Sequence, residues 1–384
     1  MQLSFSEKIS RLSVFIILLS LPCLFNSSPA CSADLQPAVI PKRESVDLTS
    51  FRKLKITNLE EDTTVSGKIL IEDIITVAPQ ATLTVLSGSE LRFAPDSGLH
   101  VIGRIVVAGT ADSPVRFSSI FAAAAASDWA GLRLTGSVKK NVMEHVVVSG
   151  ADTAINAGFA ELSARNLAVE TVDTGILLLN STAVIRDSFI TQASRGVVAI
   201  KSELDLDRVI FEECGKGLES SSAAVSAINA TFAANRAFGM ILDNTRLKIE
   251  KGQFIGNQVA LKSTGSEGSI TNSSFRNSGD TAVVLASSAV RFSGNQVTGG
   301  KVGVRLEDSF AVLWGNALFQ NSHYNLLYHG SEKLSAGGNW FGSTIEADVM
   351  KSIFSRQPGA VSVKPLLAAE PVINREPTPL RKRR

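Results

Sequence analysis

Glu203 and Asp205 stand one residue apart in SELDLDRVIF, a stretch that alternates polar and apolar positions. In an extended chain both carboxylates leave the same side, roughly 6 to 7 Å apart. Paired acids that cleave glycosidic bonds use such separations, so Glu203 and Asp205 are the catalytic candidates. Further along, Arg246 and Lys248 repeat the arrangement with positive charge, Glu267 follows, and then Arg291. Guanidinium and ammonium groups in a row suit the carboxylates of an acidic sugar polymer, which makes Arg246, Lys248 and Arg291 the substrate-binding candidates. The competing and favoured reading is a solvated face with weak cross-strand ion pairs, Arg246 with Glu267 the nearest.

Other chemistry has less to work with. His100, His145, His323 and His329 are scattered, and Met143, Met240 and Met350 lie far apart. Only His323 and His329 are near neighbours, and a pair without a third ligand does not make a metal site, so neither metal nor cofactor is expected. Aromatic platforms for sugars are few: Trp314 counts to an inward position, which leaves Trp129, Trp340, Tyr324 and Tyr328.

The elements that must position these residues repeat. Phenylalanines 189, 211, 232, 254, 275, 319 and 341, with Leu167 and Val297 filling two vacancies, recur at intervals of 21 or 22. Behind them run Gly175, Gly196, Gly217, Gly239, Gln258, Ala282, Gly303 and Asn325. The stretches between are short, rich in Val, Ile and Phe, and broken by Asn, Gly and Ser, which is strand and turn chemistry. Helical solenoids need about 34 residues or more per repeat. The fold class is therefore all-β, a parallel β-helix of roughly 12 coils with about 22 residues each, whose stacked phenyl rings form one apolar column. Asn229, Asn272 and Asn316, three places before the column, and Asn295 and Asn339, two before, read either as a side-chain ladder or as ordinary turn formers.

The same register assigns the outer side. The strand after the glycines should turn Leu177, Val198, Glu219, Ile241, Ala260, Val284, Arg305 and Leu327 outward, with Leu179 and Ile200 one step on. So apolar a stripe implies either a reversed parity that makes it ordinary core or a cover, whether a folded-back capping segment, another protomer or a partner, and Leu177, Leu179, Val198, Ile200 and Ile241 are the candidates for partner contact.

Upstream, Gly109, Thr110, Pro114, Val115 and Phe117 are followed by Trp129, Gly131 and Leu132, and GNWFGS closes the repeats at 338 to 343. In these motifs the chain resembles the right-handed parallel β-helix repeat proteins of bacterial envelopes, the pectate-lyase-like superfold, over about residues 75 to 345. The resemblance implies a right-handed coil. It implies no single activity, since the superfold hosts lyases, hydrolases, epimerases and non-enzymatic surface proteins. The Asn-Thr-Asp, Asp-Asp and Gly-His-Gly motifs of its polygalacturonase-like branch do not occur.

Lys8 and Arg11 before the apolar run Leu12 to Phe25 read as a signal peptide over 1–33, too short to span a membrane. Cys31 offers the minority alternative of an outer-membrane lipoprotein. Domain boundaries follow: a capping segment 34–74, the β-helix 75–345, a closing segment 346–369 and a disordered basic tail 370–384. A net charge of +2 over 384 residues gives no electrostatic case for nucleic acid. The expectation is an exported protein, periplasmic, cell-surface or extracellular. It offers a long surface to a polysaccharide or an envelope protein, oligomerisation being possible, and lacks catalysis. The alternative is a polysaccharide lyase or hydrolase using the face of Glu203, Asp205, Arg246 and Lys248.

Overall fold

The computed structural model describes residues 43–373. The signal peptide, Cys31, the start of the capping segment and tail residues 374–384 lie outside them. The described chain is a right-handed parallel β-solenoid of about 13 turns with about 21 residues per turn. Parallel pairing begins before position 75, with Arg52–Lys53 against Lys68–Ile71. At the other end the helix Glu346–Lys351 leads into Ile353–Ser355, which pairs with Tyr324–Tyr328.

Each coil turns its corners on single residues in the left-handed region. In one coil these are Lys201, Arg208 and Glu213, at φ 49, 53 and 56, and in the next Ser222, Asn229 and Ala234, at φ 52, 52 and 51. Such a conformation costs an L-residue roughly 1–2 kcal/mol. Stacking offsets it, because the corner amides keep donating to the following coil: Lys201 to the Ser221 carbonyl at 3.0 Å, Asn229 to Glu250 at 3.0 Å and Glu213 to Ala233 at 3.1 Å.

Three faces run between the corners. The first carries Glu203 to Asp207 and its equivalents, and the short second face carries the phenylalanines. On the third, Ile176, Val197, Leu218, Met240 and Leu261 stack inward in register, all fully buried. On the second face Phe211, Phe232, Phe254 and Phe275 pair in register, and their rings stack at 4.7, 4.9 and 4.5 Å within 10° of parallel. Val297 continues this column as expected.

At its ends the column departs from the count. Ile190 stands over Phe211, and Leu318 over Val297, so Phe189 and Phe319 are displaced from the column and half-buried. Leu167 is buried, but the column position in its coil is Val169. Intervals of 21 and 22 both occur, so spacing alone cannot choose between neighbouring apolar residues. The glycine series shifts likewise: Gly239 meets Ala260, not Gln258.

The asparagines divide into two classes. Asn295, Asn316 and Asn339 form a buried ladder, each backbone N–H bonding the next side-chain carbonyl at 2.9 Å and each amide bonding the next at 3.2 and 2.9 Å. Asn229 and Asn272 are instead left-handed corners, at φ 52 and 51. A second buried pair, Asn235 and Asn257, lies at another corner and was not anticipated.

Candidate functional site

The first face brings the charged candidates into two columns. Glu203, Ala224, Arg246, Glu267, Ala289 and Phe310 are successive register partners in one. Asp205, Ser226, Lys248, Ser269, Arg291 and Val312 are partners in the other. Leu204 and Leu206, between the acids, are buried, so alternation turns Glu203 and Asp205 outward together. The acidic and basic pairs lie two rungs apart, roughly 10 Å.

The structure gathers part of this set. Glu203, Arg246 and Glu267 line one shallow trough of about 620 Å³ together with Ser222, Ser266 and Ala224. Asp205, Lys248 and Arg291 are not among its walls. Arg246 and Glu267 are register partners, yet the ion pair expected between them is not made; Lys248 instead sits 4.0 Å from Glu250 on its own strand. Among the described residues Arg246 and Arg291 enter no ion pair, and both are exposed.

A third column ends differently from its count. It runs Asp207, Ile228, Glu250, Thr271, Ser293, Trp314, and Trp314 is 59% exposed rather than inward. The inward expectation came from counting back from Phe319. The true column residue is Leu318, and a slip of one residue exchanges the two sides of a strand. Phe310 and Val312 emerge on the same face. Alternation within FAVLW was the signal that could have found them.

On the third face Leu177, Val198, Glu219, Ile241, Lys262, Val284, Arg305 and Leu327 are register partners. The position assigned to Ala260 belongs to Lys262; Ala260 is buried. Leu177, Leu179 and Ile241 are half-buried, Ile200 is exposed, and Val198 is outward by alternation though only 4% exposed. Phe159, 68% exposed, stands at the adjoining corner. Among the described residues no three His, Cys, Asp or Glu side chains are grouped to hold a metal ion.

Residues 174–341 match the family model described as right handed beta helix region. Comparison with curated proteins finds no match. Among solved structures, the A-module of the Azotobacter vinelandii mannuronan C-5 epimerase AlgE4 is 13% identical, with 79% of this chain and 91% of that one covered and a TM-score of 0.49. The periplasmic alginate epimerase AlgG, in a mutant form, is 15% identical over 77% of this chain and 74% of that one, with a TM-score of 0.40. A tailspike protein of bacteriophage CBA120 is 10% identical over 80% and 60%, with a TM-score of 0.32. Identities and scores this low carry nothing about activity. What the coil, its register and the matched repeats establish together is an architecture: the described chain folds as a right-handed parallel β-helix.

Proposed function

We propose that this is an exported binding protein of the cell envelope or its surroundings, which presents its first face to an acidic polysaccharide and does not cleave it. The observation that carries the reading is the exposed guanidinium groups of Arg246 and Arg291, which enter no ion pair among the described residues, with Lys248 between them along one rigid face. Cations fixed at rung spacing can meet successive carboxylates of an extended polymer without the entropy loss of ordering a loop. Binding rather than chemistry follows from the setting of the acids. Glu203 and Asp205 are both exposed on an open strand face, and only Glu203 lines the trough.

The test is incubation of purified protein with polygalacturonate, alginate and neutral glucan. Salt-sensitive retention on the acidic polymers without shortening or new unsaturated ends is the expected result. Cleavage would hand the face to the lyase or hydrolase alternative. Export itself rests on the N-terminal sequence, and labelling intact cells with a membrane-impermeant reagent checks the compartment.

A second reading attaches to the third face, where Leu177, Leu179, Ile200 and Ile241, around the covered Val198, make an outward apolar patch continued by Phe159. Its proposed role is protein contact. Ile200→Asp combined with Leu177→Asp should abolish co-sedimentation or self-association while leaving glycan retention intact.

A further inference from the structure

The strand Phe310–Trp314 departs from the rest of the first face. Its outward positions carry Phe310, Val312 and Trp314, 84%, 61% and 59% exposed, in register beside Ala289, Arg291 and Ser293. Large apolar groups this exposed, on a face where the other outward apolar residues, such as Ile228, are half-buried, call for a ligand. Trp314 is also held in place. A Cβ added to Gly338 would come within 2.3 Å of the indole, so the six-membered ring packs against that backbone. Gly338 sits at φ +70, where glycine is free of strain and leaves room for the ring. Trp314 borders two hollows, one beside Phe310, Val312 and Tyr328, and one of about 470 Å³ that it lines together with Arg291, Glu250, Thr271 and Ser293.

A fixed aromatic surface, a guanidinium free of ion pairs among the described residues and hydroxyl groups in one hollow is the chemistry that holds a pyranose carrying a carboxylate. The C–H face of the sugar lies on the indole, the carboxylate meets Arg291, and the sugar hydroxyls meet Thr271 and Ser293. We infer that Trp314 and Arg291 form a subsite for a uronic acid residue, at the end of the first face nearest the C-terminus. This rests on the reading of that face as a polysaccharide surface and gives it a defined end, with the polymer running from Trp314 past Arg291 and Lys248 toward Arg246.

The test uses the full chain and a short oligogalacturonate, with a neutral gluco-oligosaccharide as comparison. Of the three tryptophans Trp129 is buried, at 1% exposure, Trp340 is half-buried and Trp314 is the most exposed, so an emission change that Trp314→Leu removes reports Trp314. Saturable quenching with the oligogalacturonate alone is expected. Trp314→Leu should remove the emission change and weaken retention on immobilised polygalacturonate about tenfold, with an unchanged melting temperature. Trp314→Phe, which restores a ring, should recover much of that loss, and Gly338→Ala, which displaces the indole, should lose affinity although the tryptophan remains. If Trp314→Leu binds as tightly as the unaltered protein while Arg246→Gln weakens binding, the subsite is overturned and the polysaccharide face stands. If the unaltered protein binds no acidic glycan, both fall.

Discussion

Asn235 and Asn257 share one buried oxygen: the Asn257 side-chain carbonyl accepts the Asn235 amide at 2.8 Å and the Asn235 backbone N–H at 3.1 Å. The Asn257 amide in turn donates to the Phe232 carbonyl at 2.8 Å. Asn257→Ala therefore strands two donors and an acceptor inside the coil. A loss of about 3 kcal/mol in denaturant unfolding is expected. Asn272→Ala, at an exposed left-handed corner, should cost only about 1 kcal/mol. Equal losses at the two sites would mean that asparagine serves one purpose in both.

The ring of Phe232 lies between those of Phe211 and Phe254, at 4.7 and 4.9 Å. Phe232→Ala empties a site that neighbouring coils cannot close without breaking their own register, and should cost about 4 kcal/mol. Phe189→Ala, displaced from the column, should cost less than half as much. Urea midpoints of the two variants decide whether the stacked column carries the difference.

Asp187 has its carboxyl pulled below the usual range, first by the hydrogen bond from Arg208 Nε at 2.6 Å, against which burial acts, and then by the charges of Arg208 and Arg165. A lowered folded pKa adds stability above the unfolded carboxyl value of about 3.9, and that share disappears as pH falls through the lower folded value. Asp187→Asn should thus melt earlier than the unaltered protein at pH 7, with the gap closing below about pH 4. Asparagine tolerates the φ of 50 at this corner, so the backbone is not the variable. A gap independent of pH would remove the carboxylate as its source.

Burial raises the Cys214 thiol to about 11, outweighing the backbone hydrogen bond from Ala193 and the charge of Arg236. At pH 8 the group is a neutral, enclosed thiol, and the thiolate is the reactive form. Alkylation by iodoacetamide should be negligible in the native protein and complete in denaturant. Rapid native labelling would show that this corner opens.

The period, the all-β coil and the phenylalanine column are legible in the chain because a stack of like coils demands like residues at one spacing. Phe211, Phe232, Phe254 and Phe275 state that demand openly. The alternation around them also suffices to set Glu203 above Arg246, and Asp205 above Lys248 and Arg291. Spacing could not choose Ile190 over Phe189, or Leu318 over Phe319, since coils of 21 and 22 residues both close and either side chain is apolar. Stacking settled that choice, and with it the side on which Trp314 emerges. The corners were equally silent: Lys201, Arg208 and Glu213 carry no turn signal, yet all three are left-handed, and the Lys201 and Glu213 amides donate to the neighbouring coil. Residue types fix what must be buried. Where each coil bends, and so which groups face water, is decided by the coils on either side.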